Sequence, residues 1–174
     1  MVAEILLVAV FPAFLVAAAV WDLISFTIPN LLVAAMLTLF AVFLGVMALE
    51  GAGMGWTDTG LHLLSGVVGL AAGVALFATG WVGGGDAKLF AATALWLGWN
   101  TLFEYTLLAS ILGDGLTLAV LALRRVPLPA ILARQGWILR LADKEAGVPY
   151  GIALVVAALI VLPRTELFRL AVGG

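Results

Sequence analysis

Long apolar stretches separated by short polar segments dominate the pattern along the chain. A helix needs about 20 mainly apolar residues to cross a hydrocarbon core of about 30 Å. Backbone polar groups must be paired inside lipid, and the sequence lacks the alternation of a β-barrel, so the stretches indicate α-helices. We predict an all-α polytopic membrane protein with about six transmembrane helices, at residues 5–21, 31–49, 61–82, 87–99, 102–123 and 148–162.

Positive charges support this number of helices, although the stretches 87–99 and 148–162 are short for a span. If six helices are present, the segments after the first, third and fifth lie on one side of the membrane. The basic residues on that side are Lys88, Arg124, Arg125, Arg134, Arg140 and Lys144, against Arg164 and Arg169 on the other. Because short cytoplasmic loops are enriched in Lys and Arg, we expect both termini outside the cytoplasm.

Residues 127–144 mix Ile and Leu with basic residues, which predicts a helix lying on the cytoplasmic membrane surface. This segment either docks a substrate or is a basic connector without such a role. We treat residues 1–174 as one transmembrane domain, and the sequence leaves the oligomeric state open.

Composition and charge narrow the possible functions. The chain is 65% hydrophobic and 10% charged, with a mean hydropathy of +1.25, which excludes an ordinary soluble domain. Its net charge of −2 provides no basic surface for nucleic acid. The absence of cysteine excludes disulfides, thiolate zinc sites and cysteine nucleophiles. His62, the sole histidine, is typical of a structural residue, because a metal site needs partners; we expect no metal, cofactor or nucleic acid.

Two aspartates are the strongest candidates for chemistry. Asp22 directly follows the first predicted helix, and Asp86 directly precedes the fourth. Because two helices separate them, both carboxyls are predicted on the cytoplasmic side at the membrane boundary, where ionisable groups usually have a function. Two carboxyls can hydrolyse a peptide bond without a metal: one draws a proton from water, and the other polarises the scissile carbonyl.

The residues beside Asp86 suggest a binding loop. Gly83, Gly84 and Gly85 can adopt positive φ and allow close approach of a substrate strand, although a glycine triplet before an acid is also a common turn. Lys88 either lowers the pKa of Asp86 through its opposite charge or anchors the helix at the boundary.

Two further polar residues are possible helpers, and the tryptophans have a simpler explanation. Asn30, beside Pro29, either caps the second helix or orients Asp22, and we favour capping. Asp114, in the fifth predicted helix, either makes a structural hydrogen bond or acts on substrate or the aspartate pair. The tryptophans lie near predicted helix ends, which is typical of interfacial anchors: Trp21, Trp56, Trp81, Trp96, Trp99 and Trp137.

Three segments resemble a known family. The sequence GGGDAKLFAA at residues 83–92 resembles the GxGD signature of prepilin peptidases, and Asp22 with residues 28–30 (IPN) resembles their first-aspartate segment. Residues 149–151 (PYG) resemble the start of the last helix in the small Tad-type, or CpaA-like, members. The resemblance implies six helices, no metal requirement, and catalytic aspartates at Asp22 and Asp86 on the cytoplasmic face of the bacterial inner membrane.

The same resemblance implies a substrate. Family members remove short, basic leader peptides from prepilins and pseudopilins, just ahead of the hydrophobic helix that holds these substrates in the membrane, in pilus assembly and secretion. Gly83 and Gly85 match the glycines of the signature. The segment LISFT after Asp22 departs from the pattern, because relatives commonly carry basic residues there. No cysteine-rich insert is present, so we expect peptidase activity without N-methyltransferase activity.

Two alternatives stay open at this point. One is a GxGD protease of the presenilin or signal peptide peptidase type, although those chains are typically longer. The other is a channel, transporter or assembly subunit in which Asp22, Asp86 and Asp114 line an ion path.

Overall fold

The computed structural model describes residues 1–51, 53–126 and 135–173, and over these ranges it contains helices but no strands. The prediction of an all-α fold is therefore confirmed. Eight helices, which we number α1 to α8, are Val2–Ser25, Asn30–Leu49, Trp56–Ala78, Gly84–Leu97, Trp99–Leu123, Gly136–Ala142, Gly151–Val161 and Glu166–Val172.

Four of the helices are long and apolar enough to cross a membrane. They are α1, α2, α3 and α5, with 24, 20, 23 and 25 residues. Helix α7, extended by a 3-10 turn at Leu162–Arg164, forms a bent pair with α8 at 56° that qualifies as a fifth span. Helix α4 has 14 residues and is shorter than a typical span. With α4 included, the count agrees with about six helices, and the chain is a multi-pass membrane protein.

The two predicted spans that are short for a bilayer are the inner helices of the bundle. Helix α4 packs against α2, α3, α5 and α7, and every residue from 91 to 98 is buried. Helix α7 packs against α1, α4 and α5. Helix α7 is apolar on all sides, and α4 is mainly apolar after Lys88, as expected for helices largely surrounded by protein. Because other helices enclose them, they do not need the length of a lipid-facing span.

Glycines hold α3 close to α4. Gly66, Gly69 and Gly73 lie one or two turns apart along α3 and face α4. A Cβ added at Gly73 would lie 3.0 Å from the backbone of Ala87, so only glycine fits without displacing α4. Small residues permit this approach in lipid. Because Ala87 follows Asp86 directly, the contact also fixes the start of α4.

The prediction of interfacial anchors is wrong for Trp96, and for the other five tryptophans, which are exposed, it stays a prediction. Trp96 is fully buried in α4, stacks on Phe11 with ring centroids 4.2 Å apart, and donates its indole N–H to the Met36 carbonyl at 3.0 Å. It is a core residue, because the end of α4 where it lies is enclosed by protein. The exposed tryptophans are Trp21, Trp56, Trp81, Trp99 and Trp137.

The predicted interfacial segment is described only in part, because residues 127–134 lie outside the described ranges. Its remainder contains the short helix α6, and the membrane-surface location stays a prediction. Arg124 ties the following connector to the bundle: its guanidinium donates to the carbonyls of Leu141, Ala146 and Gly147, each at 2.9 Å. These bonds brace the segment that leads into α7.

Candidate active site

Asp22 lies in the last turn of α1 and is buried, with 4% of its surface exposed. The helix ends at Phe26, whose backbone is left-handed with φ 56° and whose N–H donates to the Asp22 carbonyl at 2.7 Å. Non-glycine residues adopt this conformation at a cost, and it turns the chain sharply. The turn places the end of the LISFT segment, residues 23–27, next to Asp22. Phe26 and Thr27 line a cavity together with Asp22.

Asp86 lies in the first turn of α4 and lines the same cavity, which has a volume of about 290 Å³. The prediction that both aspartates lie at the same end of the bundle is therefore confirmed, although the cytoplasmic orientation of that end stays a prediction. We call this space the carboxylate cavity. Its other lining residues are Phe26, Thr27, Ile28, Asn30, Gly83, Gly84, Gly85 and Lys88.

The N–H of Gly151 fixes the position of Asp22. It donates to Asp22 Oδ2 at 2.8 Å, and a Cβ added at Gly151 would lie 2.8 Å from that same oxygen. Gly151 is the first residue of α7, where a helix leaves its N–H groups unpaired. Sequence reasoning did not propose Gly151 as a site residue, although the PYG motif that contains it was the available signal.

One oxygen of Asp86 has no partner. Asp86 Oδ1 is buried, and none of the described residues gives it a hydrogen bond. Buried polar atoms are nearly always paired in native proteins, and an exception calls for an explanation such as a catalytic role. The unpaired oxygen belongs to a carboxyl group that also lines the carboxylate cavity.

The glycine triplet works through close approach rather than unusual backbone angles. None of the three glycines uses a positive φ: Gly83 has φ −68°, and Gly84 and Gly85 already belong to α4. A Cβ at Gly83 would lie 3.0 Å from Asp86 Oδ2, and one at Gly85 would lie 3.2 Å from Ile28 Cβ. The glycines therefore let the Asp86 side chain and the Ile28 segment pack against the start of α4.

Lys88 and Asn30 contact each other at the cavity wall. Lys88 Nζ donates to Asn30 Oδ1 at 2.9 Å. The prediction that Asn30 caps its helix is wrong, because Pro29 occupies the N-cap position and the Asn30 side chain reaches Lys88 instead. Within the described ranges the ion pairs are Met1 with Glu50 and Arg164 with Glu104, so Lys88 forms no ion pair with Asp86 there.

Asp114 lies apart from the aspartate pair. It is exposed on α5, does not line the carboxylate cavity, and makes no hydrogen bond within the described part of the chain. The predicted structural hydrogen bond is therefore not found. Its neighbour Gly113 is buried, and a Cβ there would overlap the ring of Tyr150, which precedes Gly151.

His62 is structural, as predicted. It is buried at the other end of α4, with Nδ1 2.7 Å from the Leu95 carbonyl. Among residues 1–51, 53–126 and 135–173, no group of three or more His, Asp or Glu side chains is arranged to hold a metal ion. The chemical groups at the carboxylate cavity are thus two carboxyls, an amide, an ammonium, a hydroxyl from Thr27 and backbone N–H groups.

Comparison with known proteins agrees with this geometry. A sequence model of the type IV leader peptidase family matches residues 9–118, which include both Asp22 and Asp86. No curated protein and no solved structure matches the chain. The family match covers well over half of the chain and both halves of the carboxylate pair, and the chain therefore belongs to the type IV leader peptidase family.

Proposed function

We propose that the chain is an aspartic endopeptidase that removes the leader peptide from prepilin or pseudopilin precursors. The observation that carries this proposal is the shared cavity, in which Asp22 and Asp86 meet from two different helices. The family match to leader peptidases supports the same substrate class. We further propose that residues 1–174 form one peptidase domain in the bacterial inner membrane, with the carboxylate cavity facing the cytoplasm and the termini outside it, acting in a Tad-type pilus or secretion pathway.

The proposed reaction uses one ionised and one protonated carboxyl. The carboxylate accepts a proton from water while the water oxygen attacks the carbonyl carbon, and the carboxylic acid gives its proton to the carbonyl oxygen. In the second half the newly protonated carboxyl gives its proton to the amide nitrogen, the other carboxylate takes a hydroxyl proton from the tetrahedral diol, and the carbon–nitrogen bond breaks. The products are a leader with a new carboxyl terminus and a mature protein with a new amino terminus. The protons belong to the pair, so either aspartate can begin as the base.

Neighbouring groups give this reaction its geometry. The Gly151 N–H holds Oδ2 of Asp22 in place, and Oδ1 of Asp86 is buried without a partner among the described residues. The glycine triplet adds no side chains beside Asp86, so an extended peptide has room to approach. The residues of LISFT that line the cavity, Phe26 and Thr27, would then contact the leader and contribute to its selection.

The test is separate replacement of each aspartate. Asp22→Asn and Asp86→Asn, purified and reconstituted with a membrane-anchored precursor, should each lower cleavage by about 100- to 10,000-fold, because general acid and base catalysis contributes that range. Thermal unfolding should show that both variants are folded. Normal processing by either variant would refute the two-aspartate mechanism.

Asp114→Asn is the matched control, because this carboxyl is exposed and lies outside the cavity. It should cleave the precursor at the normal rate. The control also separates the peptidase from the ion-path alternative. A channel lined by all three acids would lose ion conduction in Asp114→Asn, and it would not cleave the precursor at all.

A further inference from the structure

A second concavity lies next to the carboxylate cavity on the outside of the bundle. It has a volume of about 520 Å³ and is formed by residues of α2, α3 and α4. We call it the α2–α4 groove. Asn30 and Lys88 line both the groove and the carboxylate cavity, so the two spaces meet at the bond between these side chains.

The shape of the groove suits a helix. Four of its lining residues are buried, and two of these, Ala91 and Ala92, are small, whereas Leu63, Val67 and Leu70 are exposed on α3. Exposed apolar side chains alone mean little in lipid, where they simply face acyl chains. A concave surface with small residues at its base is different, because such residues let a second helix backbone approach closely.

The groove extends along the bundle away from the carboxylates. On α2 it is lined from Asn30 to Leu37, and on α4 from Lys88 to Leu95. Each interval is two helical turns, or about 10 Å. The lining beyond Asn30 and Lys88 is apolar, so the groove offers polar partners at one end only.

A ligand that occupies both spaces must change conformation between them. In lipid its backbone hydrogen bonds must be made internally, so the part in the groove has to be helical. The part beside the carboxylates has to be extended, because a scissile bond must be reached by both acids. The first N–H groups of a helix have no internal partner, and Asn30 Oδ1 is an acceptor at the point where such a helix would begin.

We propose, resting on the function proposed above, that the α2–α4 groove binds the apolar transmembrane helix of the precursor. The extended residues that precede this helix pass the Lys88–Asn30 bond and place the scissile bond between Asp22 and Asp86. The membrane anchor of the substrate is thereby the main recognition element, and its contact with the groove sets the distance from the helix start to the cleaved bond.

A second apolar cavity provides a comparison within the same molecule. It lies on the other side of α2, has a volume of about 420 Å³, and is lined by residues that include Phe14 and Val42. It shares no lining residue with the carboxylate cavity. A helix bound there would contact no residue of the carboxylate cavity, whereas the α2–α4 groove shares Asn30 and Lys88 with it.

The first experiment fills the groove. Val67→Trp places an indole at the groove, and Val68→Trp is the matched control, since Val68 is also exposed on α3 but does not line the groove. Two substrates are compared: a precursor with a short leader and an apolar helix, in lipid vesicles, and a short peptide with the same cleavage site but no helix. Val67→Trp should raise KM for the anchored precursor about tenfold or more, which corresponds to about 1.4 kcal/mol.

The short peptide makes the result interpretable. Its cleavage by Val67→Trp should match the original chain, and Val68→Trp should be normal with both substrates. Equal KM values for the two tryptophan variants, or equal slowing of both substrates, would overturn the groove proposal. If the original chain cleaves neither substrate, the proposed peptidase function itself fails, so the two failures are distinguishable.

The second experiment locates the apolar helix of the precursor by disulfide cross-linking. The chain has no cysteine of its own, so the introduced cysteine is the only one in the chain that can react. Val67→Cys is combined with Asp86→Asn to retain the precursor, which carries a single cysteine in its apolar helix. A series of precursors is used, each with its single cysteine at a different position of the apolar helix. Oxidation should link Val67→Cys to the precursors whose cysteine positions are three or four residues apart, which lie on one helix face. Val68→Cys and Val42→Cys should link weakly. Links only between two copies of the chain would instead assign the groove to self-association. If no disulfide forms at all, lipid rather than the precursor occupies the α2–α4 groove. Either of these two outcomes overturns the proposal.

Discussion

The two ends of α4 use their polar groups in opposite ways. At the Leu97 end, side chains pair with the carbonyls of the last turn: His62 Nδ1 lies 2.7 Å from the Leu95 carbonyl, and the Ser65 hydroxyl donates to the Ala94 carbonyl at 2.8 Å. At the Gly84 end, Asp86 Oδ1 is buried without a partner in the described part of the chain. Side chains thus pair with the last carbonyls at the Leu97 end, although the Thr93 hydroxyl one turn earlier is also buried without a partner among the described residues, and the unpaired group at the Gly84 end is a carboxyl oxygen.

The difference separates stability from function. Polar side chains that pair with helix carbonyls stabilise the end of a helix, because those carbonyls lack internal partners. A buried carboxyl oxygen without a partner costs free energy, so its presence at the Gly84 end is consistent with a role in chemistry. Substitutions at the Gly84 end should therefore lower turnover, and those at the Leu97 end should lower the free energy of unfolding.

Outside the two aspartates, the largest expected effect follows from Gly151→Ala. The added Cβ would lie 2.8 Å from Asp22 Oδ2, so the carboxyl must move. Displacement of a catalytic group by about 1 Å can cost about 100-fold in rate, and we expect a fall of that size in kcat for precursor cleavage. Gly147→Ala is the control, because nothing lies within 4 Å of a Cβ there. Equal kcat values for the two variants would show that Gly151 does not position Asp22.

Gly98→Ala tests the other end and should affect stability instead. Gly98 has φ 80° and ψ 171°, a region that is essentially restricted to glycine, and a Cβ would lie 2.6 Å from His62 Cε1. We expect the free energy of unfolding to fall by about 2 kcal/mol, measured by denaturation in detergent. The folded fraction should cleave precursor with unchanged kcat.

Gly115→Ala supplies the reference for that measurement. It lies in α5 with open space around its Cβ, and alanine is the better helix former, so stability should be equal or slightly higher. A large loss of kcat in Gly98→Ala at full stability would contradict the division between the two ends.

Lys88→Met, which removes a positive charge at the Gly84 end of α4, should have a smaller effect on kcat. The exposed ammonium bonds to Asn30 and forms no ion pair with Asp86 in the described structure, so solvent screens its charge from the pair. We expect the pH–rate profile for the short peptide to keep both limbs in place, with kcat changed by less than about threefold. A displaced limb would show that Lys88 tunes the aspartates.

The smallest effect should come from Glu104→Gln, which removes the ion pair with Arg164. Both side chains are exposed, at 41% and 62%, and surface pairs contribute little. Stability should change by less than about 1 kcal/mol, and turnover should not change. A larger loss in thermal unfolding would mean that the region near α8 depends on this pair.

The placement of both aspartates at one end of the bundle was predictable, because it depends only on the number of helices between them. Asp22 and Asp86 are separated by two helices, and any even number of crossings returns the chain to the same side of the membrane. The structural role of His62 was predictable for a similar reason, since a lone histidine has no partners for a metal. These conclusions needed only the order of helices and residue types.

Other features depend on contacts that a linear pattern does not contain. Gly151 acts through its backbone N–H on a residue 129 positions earlier, and a glycine carries no side-chain signal for that role. Trp96 was assigned to the interface because hydropathy does not distinguish a lipid neighbour from a protein neighbour. Asn30 was assigned a capping role from local sequence, whereas its actual partner, Lys88, comes from another helix.

The length of α4 has a consequence for the bilayer around the protein. Its 14 residues span about 21 Å, less than the hydrocarbon thickness of about 30 Å. The carboxylates at one end and His62 near the other are therefore closer together than the two surfaces of the surrounding membrane. Because the helices that face lipid are long enough to span it, at least one end of α4 lies below the level of the headgroups. If that end carries the carboxylates, acyl-chain length becomes a variable that tunes the proposed hydrolysis.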